Sequence, residues 1–182
     1  AATAAAWREA AAAALPERFA ASGSVVFEYR RRGMAAIGIT RIDEPARFLS
    51  VVAVSPLGMK LFEIEARGGR IERVVLAPGL DARGDPTATI AKDIEHVYFN
   101  RIPSPGAAAR RCRRGFVFTE PAPDGGRLDI LLGGTPPVPV EKRFHDRRGL
   151  VWKVSYHLYR ERDGRQIPDG ILYEHRRHGY RL

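Results

Sequence analysis

The chain has 182 residues, enough for one domain with a substantial buried core, and 45% of them are hydrophobic. Thirty basic residues against twenty-one acidic ones give a formal charge of +9, and only Lys60, Lys92, Lys142 and Lys153 are lysines. The excess is therefore arginine, which either favours anionic partners or reflects a GC-rich genome that writes surface cations as Arg. No apolar run approaches the roughly 18 residues of a membrane-spanning helix, and the single Cys112 excludes an internal disulfide.

The chain opens on an alanine run without methionine, so a processed form whose natural N-terminus is missing is expected. Trp7, Ala10, Ala11, Ala14 and Leu15 recur at helical spacing and predict an N-terminal helix over 7–21, broken or kinked at Pro16. Period-two alternation then predicts strands at Ser24–Arg30, Met34–Arg41, Arg47–Val54, Met59–Glu65 and Ile71–Leu76. Val25, Phe27 and Tyr29 share one face of the first. Ile37 and Ile39 share one face of the second. Arg47–Val54 is apolar on both faces, as a strand covered on both sides would be. Arg31-Arg32-Gly33, Asp43-Glu44-Pro45 and Gly68-Gly69 read as turns.

After a loop over 78–86, Ile90, Ile94, Val97, Tyr98 and Ile102 form one apolar stripe and predict a helix over Thr87–Ile102. Asp85 is its expected cap, Pro103 and Pro105 its stop, and Lys92, Asp93, Glu95 and His96 its solvent side. Strands resume at Gly115–Thr119, Arg127–Leu132, Val138–His145, Leu150–Tyr159 and Gly170–Arg177, with Asp124-Gly125-Gly126, 146–149 and Asp163-Gly164 as turns. In the cleanest strand Leu150, Trp152, Val154, Tyr156 and Leu158 alternate with Lys153, Ser155 and His157. The expected fold is α+β: a curved antiparallel sheet, or open barrel, wrapped around an internal helix, with an N-terminal helix. One domain spans 1–182.

Three local patterns carry a resemblance: Ser55-Pro56-Leu57-Gly58-Met59-Lys60-Leu61-Phe62-Glu63-Ile64, Phe19-Ala20-Ala21-Ser22-Gly23-Ser24-Val25, and Pro168-Asp169-Gly170-Ile171-Leu172-Tyr173 with Gly179-Tyr180-Arg181-Leu182. With the order of elements, they resemble the LolA/LolB-like family of bacterial lipoprotein carriers and receptors over about residues 15–182. The last pattern is similar to the terminal hairpin of outer-membrane lipoproteins of that type. The resemblance implies an incomplete barrel with an apolar cavity for lipid or lipoprotein acyl chains, a periplasmic location, and an N-terminal lipid anchor in the outer membrane. The receptor member also carries an exposed aliphatic residue on a protruding loop; the corresponding candidate here, Asp43-Glu44-Pro45-Ala46, carries none.

The cavity lining expected from the strand and helix faces is Val25, Phe27, Tyr29, Ile37, Ile39, Phe48, Val52, Leu61, Trp152, Val154 and Tyr156, faced by Ile94, Val97 and Tyr98. The alternatives are a structural or interaction module with a filled core, and a nucleic-acid-binding domain using Arg110–Arg114 with Phe116 and Phe118 as stacking rings. No nucleic acid is expected as partner on the first reading, and the chain is expected to act as a monomer. Glu63 and Glu65 share a strand face but lack an accompanying nucleophile, the glycine pairs sit in hairpin turns, and no nucleophile elbow is present. His175 and His178, at odd spacing on a strand, are expected to diverge. The chain is thus expected to be no enzyme and to need neither metal nor cofactor.

Overall fold

The computed structural model describes residues 3–78, 86–122 and 125–182. In chain order these form α1 (Ala4–Ala14), β1 (Arg18–Tyr29), β2 (Arg32–Asp43), β3 (Phe48–Val54), β4 (Lys60–Arg67), β5 (Arg70–Leu76), α2 (Thr87–Tyr98), β6 (Ala108–Cys112), β7 (Gly115–Pro121), β8 (Arg127–Gly133), β9 (Val138–Asp146), β10 (Gly149–Arg162), β11 (Arg165–His175) and β12 (Tyr180–Arg181). The strand order is β5-β4-β3-β2-β1-β12-β11-β10-β9-β8-β7-β6, so β5 and β6 are ends and the antiparallel sheet is not closed. The α+β class and the open sheet match the sequence reading. Two compact units result: Glu17–Phe99 with Leu182, and Ala1–Pro16 with Asn100–Arg181.

The first unit is the meander β1 to β5 with α2. Two-residue turns join β1 to β2 at Arg30-Arg31 (φ 46° and 65°) and β4 to β5 at Gly68-Gly69 (φ 56° and 79°). Positive φ at both central residues gives the turn a twist that matches the strands. Glycine does this at little cost, whereas the two arginines hold a conformation unusual for side chains with a Cβ. Opposed residues in the register Phe19↔Ile42, Ile42↔Leu49 and Leu49↔Ala66 share one face, and so do Val51 and Ile64. Residues Ile42, Leu49, Val51, Ile64 and Ala66 bury that face together with Ala91 and Phe99, and Phe19, Phe62, Ile90, Ile94 and Tyr98 pack around them. This is the face α2 covers.

Three expectations need correction here. The segment Arg18–Ala21, expected as the end of the N-terminal helix, is strand, because each of its residues pairs with β2, from Arg18↔Asp43 to Ala21↔Thr40. Pairing of this kind overrides the helical preference of its alanines. The second helix ends at Tyr98 rather than Ile102, since Phe99 turns extended (φ −99°, ψ 158°) and Asn100 is left-handed (φ 52°). Phe99 instead puts its ring into the core, 1% exposed, under the Arg47 guanidinium at 4.7 Å. Asp93, expected on the solvent side, is 5% exposed, with His96 Nδ1 3.9 Å from its carboxylate. The expected cap Asp85 lies outside the described residues, as does Asp124 of the expected β7–β8 turn.

The second unit holds α1 against the strands β6 to β12. Thr3 Oγ1 accepts the Ala6 N–H at 3.2 Å and caps α1. Trp7 meets Phe116 edge-on at 5.5 Å, and Ala14 and Leu15 pack with Val138, Ile102 and Tyr159. Buried Arg101 donates to the Pro16 carbonyl at 2.6 Å, and Tyr159 donates to the Pro139 carbonyl at 2.7 Å. Strand β6 was not expected: with four of its five residues exposed, it has no buried face to betray it. Strand β11 begins at Arg165 and ends at His175, five residues earlier and two residues earlier than expected at its two ends. Past Tyr156 the alternation of β10 breaks. Leu158 takes φ 53° and is 75% exposed, so it leaves the face its predecessors share.

Candidate functional site

The β-ladder register places the expected lining residues of the first unit on two faces. Val25, Phe27 and Tyr29 oppose Ala36, Met34 and Arg32 in β2, on the same side as Phe19 and Ile42 and hence on the face α2 covers farther along. Val25 is 40% and Tyr29 38% exposed, with Phe27 half-buried. Ile94 and Tyr98 pack onto the covered face from α2, and Val97 is buried. By contrast Ile37 and Ile39 oppose Val54 and Val52, and Phe48 opposes Asp43 and Arg67, all on the other side. Ile37 and Ile39 are 47% and 45% exposed, and the covered positions of β2 are the small Ala36, Gly38, Thr40 and the larger Ile42. Leu61 falls at the bulge where Val54 pairs Lys60 while Ala53 pairs Phe62. Strands apolar on both faces give alternation nothing with which to choose a side.

The small residues of the covered face have a packing consequence. Gly23 and Gly38 oppose each other, and a Cβ on Gly38 would lie 2.9 Å from Val25 Cγ2. Val25 therefore lies flat over the glycine. Strand β3 runs no farther along β2 than Ile37, so residues 32–36 have no β3 partner in the ladder. The β1–β2 hairpin thus projects past its neighbour, carrying Val25, Phe27, Tyr29 and Met34 (44% exposed) on one face. An apolar shelf on a strand pair lacking a neighbour on the β3 side is the candidate site in this unit.

In the second unit the expected lining is brought together and buried. Trp152 is 6%, Val154 0% and Tyr156 3% exposed. Trp152 stacks on Phe144 at 5.7 Å and packs near Tyr173 at 6.3 Å. The same face holds Lys142, 1% exposed, its Nζ 5.7 Å from the Trp152 ring centroid. Sequence reasoning treated Lys142 only as one cation among four, yet in Val138, Val140, Lys142, Phe144 it occupies an apolar parity, which was the available signal. The opposite face carries Lys153 between Glu141 and Glu174, 3.5 Å from each.

The other candidates resolve individually. Glu63, 9% exposed, accepts from Lys60 Nζ at 2.5 Å and lies 3.2 Å from Arg73, and the Lys60 hydrogen bond is the main cause that holds its carboxyl below the usual carboxylate range. This is an ion-paired strand residue. The expected divergence of His175 and His178 does not occur: β11 ends at His175, the chain turns, and the rings stand 4.3 Å apart with the His178 N–H donating to His175 Nδ1. Among the described residues no group of three or more His, Cys, Asp or Glu is arranged to hold a metal. Phe116 and Phe118 are 9% and 2% exposed, so neither ring is free to stack on a base. The turn at 43–46 is closed by Asp43, which accepts the Ala46 N–H at 3.1 Å. An exposed aliphatic side chain instead stands on the β3–β4 turn: Leu57 is 87% exposed, with Met59 at 62% beside it.

These features define the class: an α+β protein built on an open antiparallel sheet, with apolar side chains left uncovered on a projecting hairpin. The fold is LolA-like. It matches the crystal structure of a LolA superfamily protein from Nitrosomonas europaea with a TM-score of 0.62 at 12% identity, covering 100% of this chain and 90% of that one. It also matches a DUF1329 family protein from Desulfovibrio piger with a TM-score of 0.61 at 11% identity, covering 97% and 88%. No protein-family model matches the sequence. No curated protein matches it either.

Proposed function

We propose that the protein binds an acyl chain of a lipid or lipoprotein without catalysis and serves lipid or lipoprotein traffic in the bacterial periplasm, at the outer membrane. The observation that carries this reading is the apolar shelf of exposed Val25, Tyr29 and Met34 beside half-buried Phe27, on a hairpin extending past β3, in a LolA-like fold. Each methylene buried there contributes roughly 0.8 kcal/mol, so about ten of them supply roughly 8 kcal/mol before the costs of association. Leu57 and Met59 give the same unit an apolar contact for a membrane surface. The buried, self-packed face around Trp152 favours a second reading for the other unit, a structural core that holds no ligand.

The test is displacement of a fluorescent fatty acid by palmitate, on the wild-type chain and on Val25→Glu with Tyr29→Glu. Both positions are exposed, so the variant keeps its fold, and its affinity should fall at least about tenfold because a carboxylate would have to be buried under the acyl chain. Unchanged affinity would move the site elsewhere. No binding of any lipid by the wild-type chain would leave the filled-core reading.

A further inference from the structure

The two ends of the sheet differ in how their charges are treated. At the β5 end, Arg67 of β4 pairs with Glu72 of β5 at 3.2 Å, and Arg73 of β5 pairs with Glu63 of β4 at 3.2 Å. At the β6 end, Arg110, Arg111, Arg113 and Arg114 are all exposed, and none forms an ion pair with a described residue. Arg111 lies over the Phe116 ring at 5.8 Å, a contact that brings it no counter-charge. Four guanidiniums within five residues thus stand on an end strand and the turn that follows it, and the outer side of that strand pairs with no described strand. Edge strands commonly carry charge to repel other edges, and this one would repel a second copy of itself. The same charge selects an occupant of opposite sign.

We propose that β6 accepts an extended acidic peptide segment by strand addition. Every second residue of an end strand directs its N–H and C=O away from its neighbour, and a peptide laid alongside would pair with that row. Arg110 opposes Val117 and Arg111 opposes Phe116, so successive arginines project to opposite faces and meet acidic side chains on both sides of the added strand. The pair at the turn, Arg113 and Arg114, extends the positive field past the strand end. A peptide fits better than a nucleic acid. Strand β6 itself carries no aromatic ring, and Phe116 and Phe118 are buried, so phosphate attraction would lack the stacking that fixes single strands.

Fluorescence anisotropy of a labelled peptide repeating Glu-Glu-Val-Val, which as a strand carries acidic side chains on both faces, titrated with the full chain, tests this. Binding should weaken with salt and fall at least about tenfold in Arg110→Glu with Arg111→Glu, whose thermal midpoint reports that it folds. On the wild-type chain, N-methylation of alternate peptide residues should weaken binding equally, because it removes strand pairing and leaves the charge. Arg70→Glu, on the other end strand, should leave affinity within about twofold. The proposal is overturned by an absence of binding, by equal affinity for the N-methylated peptide, by tighter binding of a thymidine oligonucleotide at the same salt, or by an equal loss in Arg70→Glu. The lipid-binding assay is independent of all four outcomes.

Discussion

Replacing Leu49 with alanine should cost several times more than replacing Ile39, although the two residues sit on adjacent strands and read alike in sequence. Leu49 is 0% exposed and belongs to the core under α2, so its truncation removes buried methyl groups and leaves a cavity. Such changes cost about 3–5 kcal/mol. Ile39 opposes Val52 on the other face and is 45% exposed. Its truncation forfeits roughly half the burial of an isoleucine, about 1 kcal/mol. For a chain of this size each kcal/mol moves the thermal midpoint by about 2–4 °C. Calorimetry should therefore show a drop of roughly 6–20 °C for Leu49→Ala and about 2–4 °C for Ile39→Ala. A loss in Ile39→Ala equal to or larger than that in Leu49→Ala would refute the register, because it would put the Ile37–Ile39 face inside.

Two further outcomes follow from local geometry. A Cβ on Gly115 would lie 2.1 Å from the Leu132 carbonyl oxygen and 2.7 Å from the Trp7 ring, at φ +142°, whereas one on Gly23 meets nothing within 4 Å. Gly115→Ala should lower the urea midpoint by the equivalent of about 3 kcal/mol, and Gly23→Ala should stay within about 0.5 kcal/mol of wild type. Asp146 accepts from Arg177 and from the Arg148 N–H at 2.7 Å, and these hydrogen bonds hold its carboxyl below the ordinary value in the folded state. Its stabilisation is then fully present above the unfolded value of about 3.9 and is lost as pH falls through the lower folded value. Asp146→Asn should accordingly be less stable than wild type at pH 7 and converge with it as pH falls below the lowered folded-state value, measured by chemical denaturation from pH 7 downward.

The ladder of strands was legible because turns such as Gly68-Gly69 and Asp163-Gly164 have a local chemical cause, visible without any partner. The segment Arg18–Ala21 was not, since its alanines favour helix and only pairing with β2 makes it strand. Faces were legible where one side is polar, as with Trp152, Val154 and Tyr156 against Lys153 and His157. They were illegible in β2 and β3, where the covered side of β2 is Ala36, Gly38 and Thr40 and the larger isoleucines point away. Choosing between two apolar sides depends on what packs against them, and α2 is some fifty residues farther on. The close approach of His175 and His178 was missed because strand geometry was extended past the residue where β11 ends.

The division of the chain also sets an order for its assembly. One compact unit, Glu17–Phe99 with Leu182, is almost continuous in sequence, so a ribosome delivers nearly all of it before Asn100–Arg181 appears. The helix α1 precedes it yet packs with residues of the other unit, Phe116 and Val138 among them, more than a hundred positions downstream. An eleven-residue helix is marginal on its own in water. During synthesis α1 emerges ahead of the residues it packs against and must wait, without them, until they too have been made.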